Sequence, residues 1–167
     1  MQIIDKLMGQ FKVSCEATSY KKILLNICDY VTYGLTDSNI FYRNYYIDQV
    51  NDYKINPHPL GSIIYTKLLS YHIMANMSCV ILPKTNYNLQ PFKIDYFKKC
   101  CDKLIDYIND NEIEELHTPI FATKLLEGNW DEIMSVLKNV GNKTNITKLY
   151  IYRPNPQCEI KICKQIP

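Results

Sequence analysis

Between residues 93 and 110, apolar side chains return every three or four positions: Ile94, Phe97, Cys101, Leu104, Ile105 and Ile108. That spacing puts them on one stripe of an α-helix and leaves the opposite face polar. The flanking apolar stretches, MSCVILP at 77–83 and ELHTPIFA at 115–122, are too short for helices and read as strands. A further run, 23-ILLNIC-28, has the same character. Strands that are continuous apolar runs, rather than strict alternations, are buried on both faces. Strands of this kind alternating with helices predict an α/β fold with a mostly parallel sheet covered on both sides.

The remaining segments fit around that frame. Residues 1–10 read as a short amphipathic arm ahead of the domain, and FKVSC at 11–15 as a first strand. After 23–28 comes a loop at 29–38 with one glycine, Gly34. Ser38 or Asp37 is placed to cap a helix running on to about Tyr53, whose buried side carries Phe41, Tyr42, Tyr45 and Tyr46. NPHPLG at 56–61 is turn material. SIIYTKLLSY and MSCVILP follow as strands joined by a loop, HIMAN. The last helix, 130-WDEIMSVLKNV-140, is expected to stop at Gly141. ITKLYIYR is the final strand, and the Pro-broken segment 153–167 reads as a tail or an edge strand. The expected organisation is an arm at 1–10, one domain at 11–152 and the tail.

Composition narrows the function. Nineteen Lys and Arg against 17 Asp and Glu give a net charge of +2. The basic residues form no run, so no nucleic-acid footprint is expected. Arg43 and Arg153 are the two arginines, which leaves few candidates for a bidentate clamp on phosphate or carboxylate. No apolar run approaches the ~20 residues of a membrane span, and the N-terminus lacks the order of a signal peptide, so a cytoplasmic location is expected. Seven cysteines show no zinc-type pairing, and no metal or cofactor is expected. His58, His72 and His117 are scattered, with no Ser or Cys and Asp in triad order. The bias toward Ile, Asn, Lys and Tyr suits an AT-rich genome, as in many viruses and phages.

The stretch 119-PIFATKLLEGNWDEI-133 places a strand end, a loop and a helix start in immediate succession. Together with CVILPKTNYNLQPFKIDYF at 79–97 and ILLNIC at 23–28, it resembles the macrodomain family. The resemblance is to its compact branch of phage ADP-ribose-phosphate phosphatases and the terminal ADP-ribose protein glycohydrolase. It covers about residues 11–152 and is most specific over 79–152. It implies a three-layer α/β/α sandwich with a mixed, mostly parallel sheet, and binding of ADP-ribose between two loops at the strand ends. The diphosphate in such a site is held by backbone N–H groups and a helix N-terminus, which calls for glycine and φ > 0.

Carried onto this chain, the resemblance implies ligand contacts from Asn26, Tyr33, Gly34 and Thr36 in the first loop region. From the second it implies Ala122, Thr123, Lys124 and Gly128. Glu16 stands in for the adenine-contacting Asp that follows the first strand. The glycines of the second loop have become Ala122 and Lys124, and the Ala-Gly of the first loop has become Leu35-Thr36. The hydrolytic carboxylate is matched by Leu126, with Glu127 or Asp131 as substitutes, while its companion lysine is retained as Lys84. The expected function is a binding module for an ADP-ribose-related or other nucleotide-like ligand with a degenerate catalytic site. The alternatives are a protein-interaction domain with a closed cleft and a residual ADP-ribosyl hydrolase. An acidic side chain within reach of Lys84 would favour the hydrolase.

Overall fold

The computed structural model describes residues 1–16, 19–30, 35–53, 58–69, 72–86, 89–122 and 126–155. Six strands form one sheet: β1 (Gln2–Leu7), β2 (Lys22–Asp29), β3 (Ile63–Leu69), β4 (His72–Val80), β5 (Glu115–Pro119) and β6 (Lys148–Arg153). Their order across the sheet is β1-β6-β5-β2-β4-β3. Every neighbouring pair is parallel except β3 with β4, which is antiparallel. The mixed, mostly parallel sheet expected from the apolar runs is therefore present.

Helices cover both faces. On one side α4 (Ile94–Asn111) and α5 (Trp130–Asn142) pack on Ile23, Leu25, Ile27, Ala75, Met77, Leu116, Leu149 and Ile151. On the other, α1 (Phe11–Glu16), α2 (Asp37–Arg43) and α3 (Ile47–Tyr53) enclose an aromatic cluster of Phe11, Phe41, Tyr42, Tyr46 and Tyr152. The period-two alternation of the strands explains the split. Odd-numbered residues of β2 meet α4 and α5, and Leu24 meets the aromatic layer.

Several expectations are corrected. Residues 1–10 are not an arm: β1 lies parallel to β6 as an edge strand, followed by a 3-10 turn over Met8–Gln10. FKVSC is the start of α1 rather than a strand. Phe11 and Cys15, four apart, are both buried while Val13 is 73% exposed, which fits a helix and not an alternating strand. HIMAN is not a loop but the first half of β4, paired to β2 on one side and β3 on the other. The helix over 39–53 is two helices, and the cap of α2 is Thr36, whose Oγ1 accepts from the Asn39 amide. Helix α5 runs through Gly141 to Asn142 and is capped at Lys143. An added Cβ at Gly141 would stand 2.6 Å from Sδ of the half-exposed Met1 side chain, which can swing aside. The tail beyond Asn155 lies outside the described residues.

Candidate functional site

The carboxyl ends of β2, β4 and β5 adjoin one another, since β2 lies between the other two. Open α/β sheets bind ligands at that edge, and the chain's most distinctive polar pair sits there. Lys84, four residues beyond β4, places Nζ against Glu127 Oε1, in the loop after β5. The two side chains are 41% and 45% exposed, so the pair faces solvent at the rim.

Backbone contacts hold both members in place. Phe92 bridges to Val80 at the end of β4, and its amide donates to the Leu126 carbonyl at 3.1 Å. That contact ties the loop after β5 to the segment leaving β4. The Gly128 amide donates to the Ala122 carbonyl at 2.6 Å, which closes the base of the same loop. Ala122 and Glu127 adopt φ of 59° and 53°, the left-handed region that glycine favours. The backbone shape associated with glycine therefore persists at Ala122, at a cost of about 1–2 kcal/mol for a residue with a Cβ. Gly128 is required for another reason: a Cβ there would stand 2.6 Å from Ala122 Cβ and 2.8 Å from its carbonyl oxygen.

Leu126 is 2% exposed and belongs to the core beneath α4 and α5. Its carbonyl is taken by the Phe92 amide. Glu127, the next residue, turns its carboxylate outward to Lys84, and of the two substitutes named from sequence it is the one that pairs with Lys84. Trp130 begins α5 behind a cap from the Asn129 side chain to the Glu132 amide. Its ring meets Phe121 edge-on, with centroids 5.5 Å apart, so it anchors the helix start to the core.

The other residues singled out from sequence are distributed as follows. Asn26 is buried, and its side chain is consumed internally: Nδ2 donates to Asn76 Oδ1 at 2.9 Å, and Oδ1 accepts from Asn39 Nδ2 at 2.8 Å. Thr36 is buried too, its hydroxyl donating to the Ile27 carbonyl while it caps α2. Both shape the exit of the first loop rather than its surface. Glu16 lies at the end of α1, because the segment taken for the first strand is a helix. The first strand is β1, and Met8, not an acidic residue, follows it. Ala122 is fully buried. Tyr33, Gly34, Thr123 and Lys124 lie outside the described residues.

Asp29, at the carboxyl end of β2, was not singled out from sequence although it borders the site. It is 2% exposed, and Oδ1 accepts from the Leu82 amide at 3.2 Å. The only signal for it was a carboxylate ending an apolar run.

A second buried polar group lies lower in the sheet, beneath α1. Register alone aligns Lys22 of β2 with Glu115 of β5 on one side and His72 of β4 on the other. Lys22 Nζ donates to the Cys15 carbonyl and stands 3.9 Å from Glu115 Oε1. His117 lies 3.0 Å from Glu115 Oε1 through Nε2 and 2.8 Å from the Tyr152 hydroxyl through Nδ1. A carboxylate only accepts, so Nε2 carries the proton and Nδ1 accepts from the tyrosine. Burial holds His117 and His72 below the usual imidazole value, His72 at about 4. Burial alone would raise Glu115, but the hydrogen bond from His117 and the positive charges of Lys22 and Lys148 outweigh it and hold the carboxyl low. With His117 and Tyr152 fully buried, this group is a structural element and not a reaction centre.

A cavity of about 400 Å³ lies away from the pair, between Glu112, which follows α4, and Thr147, which precedes β6. Its rim carries Glu112 and Glu114, the wrong sign for a phosphate ligand. Among the described residues there is no group of three or more His, Cys, Asp or Glu side chains able to hold a metal ion. Among the same residues, no helix is long and apolar enough to cross a membrane.

No family model matches the sequence, and no curated protein matches it. Solved structures do match in three dimensions. A protein of unknown function from Bacteroides thetaiotaomicron superposes with a TM-score of 0.69 at 16% identity, covering 92% of this chain and 98% of that one. A macrodomain protein from Streptomyces coelicolor gives 0.63 at 15% identity, over 90% and 98%. An Oceanobacillus iheyensis macrodomain mutant solved with ADPR gives 0.54 at 9% identity, over 98% and 92%. The chain has the fold of these macrodomains.

Proposed function

We propose, from the macrodomain fold and the ion pair at its rim, that this chain binds an ADP-ribose-related nucleotide at the carboxyl ends of β2, β4 and β5. The observation that carries this reading is Lys84 at that rim. An exposed pair contributes only about 0–1 kcal/mol to stability, so the fold does not depend on it. It also sits at the edge where open α/β sheets take their ligands, and a neighbour of the same fold was solved with ADPR. A lysine there offers a point charge to phosphate, and Ala122 keeps the left-handed backbone that brings amides close to an anion. If the source is a virus or phage, as the composition suggests, such a module in the host cytoplasm would sequester a nucleotide signal of the host.

A second reading has one specific observation in its favour. Glu127 supplies the carboxylate that Leu126 lacks, within contact of Lys84. In a hydrolytic step, Glu127 would take a proton from water as its oxygen bonds to the anomeric carbon. The bond to the leaving oxygen would break with a proton from Lys84. The reading as a closed-cleft interaction domain has no comparable observation behind it.

Calorimetric titration with ADP-ribose tests the first reading. Binding is expected at micromolar to sub-millimolar concentration and should weaken in Lys84→Ala. No heat at millimolar ligand would refute it. Release of ADP-ribose from an ADP-ribosylated peptide, abolished in Glu127→Gln with binding retained, would select the hydrolytic reading.

A further inference from the structure

We propose that Asp29 is a positioning residue for Lys84: its buried carboxylate holds the Leu82 amide and so fixes the segment that presents the lysine to Glu127. The functional meaning rests on the reading above, but the geometry stands by itself. A carboxylate taken out of water is costly unless donors satisfy it, so its place at the end of a core strand asks for a reason. The sheet supplies one. Pairing between β2 and β4 runs in step as far as Cys28 with Ser78 and then skips to Asp29 with Val80, leaving Cys79 unmatched. Such a bulge re-aims the side chain beside it, and here Oδ1 reaches the Leu82 amide at 3.2 Å.

Leu82 lies two residues before Lys84. The segment is tied on its other side by the Ile81 amide to the Pro91 carbonyl at 2.9 Å. Glu127 is anchored separately through Leu126 and Phe92. The two members of the pair thus hang from two arms tied to the end of β4, and Asp29 is a side chain that holds the arm bearing Lys84. Without that bond the lysine would have a moving base on a four-carbon stem, and meeting Glu127 would cost the order of both. A short acceptor is what the position requires, and Asn supplies one without the charge.

The test reads Lys84 directly and needs no ligand. The protein is labelled with trace N-acetoxysuccinimide and each lysine quantified by mass spectrometry, with Lys98, paired to Glu132 at 3.8 Å, as the internal standard. Glu127→Ala and Asp29→Ala should each raise Lys84 labelling by about two- to fivefold, while Asp29→Asn should stay near the parent. Unchanged labelling in Asp29→Ala, or equal rises in the Ala and Asn variants, would overturn the proposal. So would an unchanged rate in Glu127→Ala, because no pair would then exist to position. Amide exchange of the unaltered protein provides a check without any variant. Leu82 N–H should exchange about tenfold more slowly than Lys84 N–H, and equal rates would refute the bond. Failure to bind ADP-ribose would refute the proposed function and leave each of these readouts intact.

Discussion

Lowering the pH from 7 to 5 should weaken the fold through His72 in particular. Its side chain is 4% exposed, and Nδ1 has no hydrogen-bond partner among the described residues. It stands beside Lys22 in register, with Glu115 and His117 of β5 beyond and the Cys15 carbonyl of α1 above the lysine. Burial is the main cause of its low value, followed by the Lys22 cation, with protonation of His117 acting in the same direction and Glu115 opposing. Because the folded value is depressed, the stabilisation is complete above the unfolded value of 6.5 and is lost as pH falls from there through about 4. The full linkage is about 3 kcal/mol, of which about 2 kcal/mol is gone by pH 5. His117 is also held low, so it adds a loss of the same sign. Urea unfolding followed by the single tryptophan, at pH 7 and pH 5, measures the sum. His72→Phe fills the same space with nothing to protonate. The parent should lose about 2 kcal/mol more than this variant over the interval. Equal losses in the two proteins would refute the claim that a neutral buried imidazole sits at that position.

Three further outcomes follow from packing and hydrogen bonding. Leu126→Asp puts a carboxylate at the position matched to the hydrolytic acid, but the side chain faces the core; unfolding at lower urea by about 3 kcal/mol or more is expected rather than gain of activity. Gly128→Ala forces a Cβ into Ala122 and should cost about 1–3 kcal/mol, read by thermal melting, together with weaker ADP-ribose binding if the loop forms the site. Asn39→Ala leaves Asn26 Oδ1 without its donor and removes half of the reciprocal cap with Thr36; a loss of about 1–3 kcal/mol in urea unfolding is expected.

The layered α/β frame was legible because burial on both faces leaves a mark in composition. The runs at 23–28 and 115–119 and the stripe of α4 each read correctly. The errors share a cause: local pattern is ambiguous where an element is short or lies at an edge. FKVSC holds two buried residues out of five, and only Val13 on the outside distinguishes helix from strand. The first residues could not be recognised as β1, because an edge strand buries little and its pairing partner is 146 positions away, as in Gln2 with Lys148. The misplaced strand in turn sent the adenine-side acid to Glu16.

At the site, sequence matching put the carboxylate position on Leu126 and offered Glu127 or Asp131 as substitutes without deciding between them. Sequence position is counted along the backbone, whereas a side chain's direction is set by φ and ψ. With Glu127 at φ 53°, the neighbouring carboxylate points outward and meets Lys84. Asn26 was a surface candidate by position and became an internal strut because Asn39 and Asn76 close around it. The sequence by itself determined which segments are apolar on both faces, and so that a parallel sheet lies between helices. Tertiary structure decided the charges: which carboxylate reaches Lys84, which is buried against Leu82, and which histidines are kept neutral. Burial is a sum over a whole segment and survives local error, while a hydrogen bond depends on a few tenths of an ångström between residues far apart in the chain.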